Sequence, residues 1–252
     1  MSNPPMYGSL VPLDREQHKN LRLQSELPTL ERAAELNSVF LAAVEFNEAC
    51  KEFPIVFVRV GDAPKDGAAP AVAPLAVFGL KPGSNLFIKD GKWTGNYTPA
   101  YLRRYPFAMA RIDSGDQIAV CFDEQWKGFS QTEGTALFGA DGQPSEFTTN
   151  AQAFLENFER EAERTRLVCE ELQKLELLQD MRFEATLPNG EKIDVDGFLA
   201  INEEKLSQLP DAKVLELFRN GVSSLIEMHR VSMGNMSRLA QGHSAAAAPA
   251  AA

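Results

Sequence analysis

Thr149-Asn-Ala-Gln-Ala-Phe-Leu-Glu-Asn-Phe-Glu-Arg-Glu-Ala-Glu-Arg-Thr-Arg-Leu-Val-Cys-Glu-Glu-Leu-Gln-Lys-Leu-Glu-Leu-Leu-Gln179 reads as one long amphipathic helix. Phe154, Phe158, Ala162, Thr165, Val168, Leu172, Leu175 and Gln179 recur at steps of three and four, against a charged opposite face. Thr149 with Gln152 fits a capping box at its start. Before Asn150 the chain is different: short apolar runs are broken by turn residues. That switch in period predicts an α+β fold. A mostly antiparallel sheet comes from the N-terminal half, and two long helices and a hairpin come from the C-terminal half.

Downstream of the helix, Arg182 to Val195 reads as a hairpin around Asn189-Gly190. Phe183, Ala185 and Leu187 share one side of it with Ile193 and Val195. Asp211 then fits the N-cap of a second long helix. Its seam is Val214, Phe218, Val222, Leu225, His229, Ser232, Met236 and Leu239. The Ala/Pro-rich residues 242–252 lack the variety to pack and are expected to be disordered.

Upstream, Ile55 to Val60 is apolar, β-branched and bounded by Pro54 and Gly61, which marks a buried strand. Leu75 to Leu80 and Asn85 to Ile88 are two more strand candidates, and Asp90-Gly91 is a hairpin signal. Phe107 to Ile112 and Gln117 to Phe122 form a strand pair around Ser114-Gly-Asp116. Leu36 to Phe53 is read as a helix from its apolar spacing, and Asp62 to Pro74 as a surface loop. The expected organisation is one domain over residues 1–241, sheet-rich at 50–146 and helical at 147–241.

Composition narrows the function. The 252 residues are 44% hydrophobic with net charge −10, which disfavours nucleic acid and anionic membrane surfaces as partners. No apolar run reaches the ~18 residues that a membrane span needs. The first residues have neither a basic nor an apolar leader region. Cys50, Cys121 and Cys169 are odd in number and far apart, and read as free thiols of a cytoplasmic protein. His18, His229 and His243 have no ligand spacing, so no metal is expected. No phosphate-binding glycine loop or nucleophile elbow occurs, and no cofactor is expected. Asp194-x-Asp196-Gly197 lacks the rest of a calcium loop and is read as a polar strand end.

The candidate site is Trp93-Thr-Gly-Asn-Tyr-Thr-Pro-Ala-Tyr-Leu-Arg-Arg-Tyr-Pro-Phe107, which holds one of the two Trp and three of the four Tyr. Pro99 is placed at the first position of a short helix and Pro106 at its end. Tyr101 and Tyr105 then share a face, and at least one of Arg103 and Arg104 is expected to pair with an internal carboxylate. Trp93, Tyr97, Tyr101, Arg103, Arg104 and Tyr105, with His229 as a polar wall, are the predicted ligand-binding residues. The same residues also read as a packed aromatic corner with an arginine brace.

The chain resembles the bacterial SapC family. The likeness rests on Phe53-Pro-Ile-Val-Phe57, Leu80-Lys-Pro-Gly-Ser-Asn-Leu-Phe87, Trp93, and Tyr97-Thr-Pro-Ala-Tyr-Leu-Arg-Arg-Tyr-Pro-Phe107. Gly221, His229, Ser232 and Asn235 extend it, and Thr98 departs from the apolar residue expected there. The resemblance implies association with surface-layer protein loci and TonB-dependent uptake systems. The peptide-permease label that some members carry is at odds with the lack of an apolar span. Two functions follow as expectations. One is a non-enzymatic accessory protein whose Arg/aromatic groove takes a protein or peptide partner, or a small acidic ligand. The other is a small-molecule enzyme or enzyme subunit with a pocket at the same stretch.

Overall fold

The computed structural model describes residues 3–24, 30–61, 69–111, 118–187 and 190–247. In chain order these begin with strands β1 (Leu10–Pro12), β2 (Arg22–Leu23) and β3 (Ser38–Phe40), then helix α1 (Phe46–Ala49). Strands β4 (Ile55–Val60), β5 (Ala71–Val77), β6 (Ile88–Lys89) and β7 (Lys92–Trp93) precede helix α2 (Ala100–Arg103). Strands β8 (Phe107–Arg111), β9 (Ile118–Asp123), β10 (Phe129–Ser130) and β11 (Thr135–Ala136) lead to the long helix α3 (Glu146–Lys174). Strands β12 (Leu178–Thr186) and β13 (Lys192–Ile201) follow, then α4 (Glu203–Ser207), α5 (Asp211–Arg219), α6 (Val222–Ser232) and α7 (Asn235–Ala247). The class is α+β, as the change of period predicts.

The main sheet has five strands in the order β12-β13-β4-β5-β3, with antiparallel pairing throughout. It therefore takes strands from both halves of the chain. Alternation along β4 splits the core. Ile55 and Phe57 face one cluster with Phe158 and Leu172 of α3 and Ile226 of α6. Val56 and Val58 face a second cluster with Met236, Leu239 and Ala240 of α7. A smaller sheet, β1-β9-β8, carries Phe107 and Phe122 into a third cluster with Leu155 of α3.

The predicted strand at Leu75 begins earlier, at Ala71, and contains Pro74. β3 pairs only with Leu75 to Val77, so Pro74 lies beyond that ladder and its missing N–H costs no strand bond. The helix predicted over Leu36 to Phe53 is instead β3, a 3-10 turn at Ala43–Glu45 and the short α1. Asn37 starts the extended stretch, its carbonyl accepting from Phe78 and Gly79 N–H. Of the predicted strand Asn85 to Ile88 only Ile88 is in a strand, because the buried Asn85 side chain bonds Ala33 O and Phe87 N–H. The Asp90-Gly91 hairpin is present, with φ of 50° and 71° suiting a tight two-residue turn.

The cap of α3 lies four residues before the predicted one. Ser145, not Thr149, is the N-cap, its side chain accepting from Thr148 N–H. The second long helix is broken into α5, α6 and α7. Pro210, not Asp211, precedes its first turn, and Gly221 at φ 83° turns the chain between α5 and α6. That break changes the buried face. Val214 and Phe218 are exposed and Leu217 is buried, whereas Val222, His229, Ser232, Met236 and Leu239 keep the predicted seam. Residues 242–247, read as the start of a tail, continue α7, because His243 is buried and its Nε2 accepts from Leu80 N–H. Residues 248–252, Ser114-Gly115-Asp116, Asn189 and most of the Asp62 to Pro74 loop lie outside the described residues.

Candidate functional site

The Trp93–Phe107 stretch crosses from hairpin β6–β7 to strand β8. Pro99 is the N-cap of α2, one position before the place predicted for it, and Tyr105 precedes a cis Pro106. Two buried acids that local sequence does not flag hold this stretch. Glu45 accepts from the Tyr97 hydroxyl at 2.7 Å and from Ala100 N–H at 2.7 Å, so it closes the start of α2. Asp123 accepts from the Tyr105 hydroxyl at 3.0 Å, and from Gly8 and Ser9 N–H at 3.0 and 2.9 Å. Burial alone would raise the Asp123 carboxyl, but these N–H donors and the phenol hold it below the usual range. The Tyr97 and Tyr105 hydroxyls are pushed up, first by burial and then by bonding to those carboxylates.

The internal carboxylates thus go to tyrosines, to backbone and, for Asp123, to Arg32 at 3.3 Å, rather than to Arg103 or Arg104. Tyr101 and Tyr105 are buried as expected, with the Tyr101 hydroxyl donating to Pro5 O. Arg104 is 8% exposed and lies between the Tyr101 and Phe158 rings, 4.4 Å from each centroid. Glu159 is its ion-pair partner, 3.8 Å away and half exposed, and the Arg104 Nε has no hydrogen-bond partner among the described residues. Arg103 is exposed; its Nε donates to Thr98 O, and its guanidinium sits 5.2 Å from the Phe154 ring and 6.0 Å from Tyr97. Of the expected arginine–carboxylate pairing there is only the long Arg104–Glu159 ion pair to a half-exposed acid, and ring stacking holds both guanidinium groups beside it.

Two open clefts flank the stretch. The first, about 400 Å³, contains both arginines and Tyr105 and is walled by Phe107, Trp126 and Phe154. The second, about 580 Å³, contains Tyr97 and lies between α1, the β6–β7 hairpin and α7. Trp93 lines neither. Its ring stacks on Phe87 at 5.6 Å, and its Nε1 donates to Tyr97 O. Tyr101 lines neither and packs under Arg104.

His229 is not brought to the tyrosines. Its Nδ1–H donates to Ile55 O at 2.8 Å, and its Nε2 accepts from Ile201 N–H at 3.2 Å. It bridges β4 and β13, which pair directly only at Phe57 and Leu199. Burial lowers its pKa to about 4, so the ring is neutral. Ser232 and Asn235 extend the same seam, bonding Ile55 N–H and the Cys50 and Phe53 carbonyls.

Among the described residues no cluster of three or more His, Cys, Asp or Glu is placed to hold a metal ion. All three cysteines are free, and burial raises the Cys169 thiol to about 12. No described helix is long and apolar enough to cross a membrane. Sequence reasoning missed Glu45, Asp123, Trp126 and Glu159. Each meets the Trp93–Phe107 stretch across a long gap in sequence, although Glu45 also caps Ala42 N–H and Trp126 packs on Phe129 locally.

No curated protein and no solved structure matches this chain. The family model described as SapC matches residues 13–239, from the segment after β1 to the body of α7, and takes in the first cleft, all the second cleft's lining but Gly242, and the polar seam of α6. The chain belongs to the SapC family.

Proposed function

We propose that this protein is a non-enzymatic accessory or binding protein. It acts in the bacterial cytoplasm beside surface-protein or TonB-dependent uptake systems. Its 400 Å³ cleft takes an apolar or aromatic segment that ends in a carboxylate, as on a peptide or protein partner. One observation carries this reading: Arg103 and Arg104 border an apolar cleft, and neither has a hydrogen-bonded carboxylate among the described residues. A guanidinium fork next to aromatic walls recognises a carboxylate by charge and by geometry. The cleft volume lies within the range of small-ligand sites. Its other polar side chains are Asn150 and the Tyr105 phenol already given to Asp123, which favours binding over acid–base or nucleophilic chemistry.

The test is thermal unfolding of the full chain with N-acetylphenylalanine and with its amide. The acid should raise Tm and the amide should not, since ligand at ~100 times Kd stabilises by about 2.7 kcal/mol. Arg103→Gln, an exposed change, should abolish the shift without lowering the unliganded Tm by more than a degree or so. No shift with the acid, or a shift that survives Arg103→Gln, would refute the proposal.

A further inference from the structure

We infer that the 580 Å³ cleft is a second, independent binding site, and that its ligand is a small organic anion. The recognised chemistry is a phosphate or carboxylate carried on an apolar or planar body. Three elements remote in sequence each bring a cation to this cleft: Lys51 after α1, Lys89 in β6 and Arg238 in α7. Two carboxylates, Glu48 and Glu52, also line it, and both are engaged. Glu52 accepts from the Asn96 and Tyr97 N–H groups and from the Asn96 side-chain amide. Glu48 holds Lys51 Nζ at 2.7 Å.

Three cations against two carboxylates leave the cleft one positive charge in excess, and neither Lys89 nor Arg238 is held by a carboxylate among the described residues. The Arg238 guanidinium bonds only neutral oxygens, Asn235 Oδ1 at 3.1 Å and Lys51 O at 3.4 Å. Lys89 has no hydrogen bond or ion pair among the described residues. In a chain of net charge −10, a concave site with an excess of one positive charge and two cations free of carboxylate partners concentrates anions locally. The cleft is also too apolar to serve a bare ion alone. Leu86, Phe87 and Leu239 line it, and Phe87 is backed by the stacked Trp93 ring. The aromatic face suits a planar body, and the cations at the rim suit its charged group. Gly242 also lines the cleft, where a Cβ would come within 2.9 Å of the Leu86 Cδ1 methyl.

Isothermal titration of the full chain with phenyl phosphate, benzoate, inorganic phosphate and phenol tests the inference. Phenyl phosphate or benzoate should bind at least about tenfold more tightly than inorganic phosphate or phenol, since both the ring and the charge contribute. Their order identifies the charged group as phosphoryl or carboxyl. Lys89→Gln and Arg238→Gln are exposed changes, and each should weaken the anion by about tenfold. Arg103→Gln should leave it unchanged, which separates this site from the cleft of the proposed function. Quenching of tryptophan fluorescence by the ligand, through Trp93 behind Phe87, gives a second readout. Three results would each overturn the inference: phenol binding as well as the anions, binding that survives the Lys89/Arg238 double change, or no anion binding at millimolar concentration.

Discussion

Arg104 lies between the Tyr101 and Phe158 rings, while its neighbour Arg103 sits exposed over Phe154. A buried cation whose ion-pair partner is 3.8 Å away is weakly compensated, and stacking on two rings supplies what the ion pair does not. Opposite consequences follow for two substitutions. Arg104→Met keeps an apolar stem between the rings and removes the desolvated charge. It should change stability by less than about 1 kcal/mol. Arg104→Lys retains a charge that is more strongly hydrated and cannot stack flat, and should cost about 1–3 kcal/mol. Urea unfolding of both variants decides the point, and a Met variant less stable than the Lys variant would show that the charge itself is required.

At the scale of elements, Gly221 and Gly234 mark the two breaks in what reads as one helix. Gly221 has φ 83° with open space around a built Cβ, so Gly221→Ala meets only the backbone penalty. It should destabilise by about 1–2 kcal/mol. Gly234 does not need a positive φ, and its nearest Cβ neighbour is 3.5 Å away. Gly234→Ala should be neutral or stabilise by up to about 1 kcal/mol. Equal effects of the two changes in thermal melts would mean that the Gly221 turn does not set the break. These glycines also show what sequence could reveal. The seam from Val222 to Leu239 is legible because its period runs through the second break, but Val214 and Phe218 carry the same spacing on an exposed face. β4 and the body of α3 were legible from period and composition alone, but the seam read through Gln179 stops at Lys174, and Leu178 and Gln179 start β12. The Leu36 to Phe53 segment was not, because β3 depends on pairing with β5 rather than on its own pattern. In the candidate site, the burial of Tyr101 and Tyr105 follows from local spacing. The roles of Glu45, Asp123 and Phe158 depend on contacts that only the folded chain makes.

For the whole molecule, His229 links α6 to the two strands that join the halves of the main sheet, so its titration is a stability term for the fold. In the folded state burial lowers its pKa to about 4, against an unfolded value of ~6.5. Above pH ~6.5 the ring is neutral in both states and contributes no pH dependence. As pH falls below that value the unfolded chain binds a proton that the folded chain refuses. Stability is then lost at about 1.4 kcal/mol per pH unit, reaching about 3 kcal/mol near pH 4, where the folded state begins to protonate too. His243, also lowered by burial and then by Lys81, acts in the same direction. Asp123 is depressed below the ordinary aspartate value, so its loss falls at lower pH, outside this window. Glu159, raised by burial, acts oppositely and reduces the net slope. The charged groups that act on His229 are Glu203 and Arg230, whose effects on the ring oppose each other. Urea unfolding of the wild type between pH 7.5 and 4 should therefore show falling stability. His229→Gln should start lower at pH 7.5, because the bridge between β4 and β13 is weakened, and should fall by about 2–3 kcal/mol less over the same range. Parallel curves for the two proteins would place the acid sensitivity elsewhere, and His243→Gln measured alongside would show how much of it belongs to the contact between α7 and Leu80.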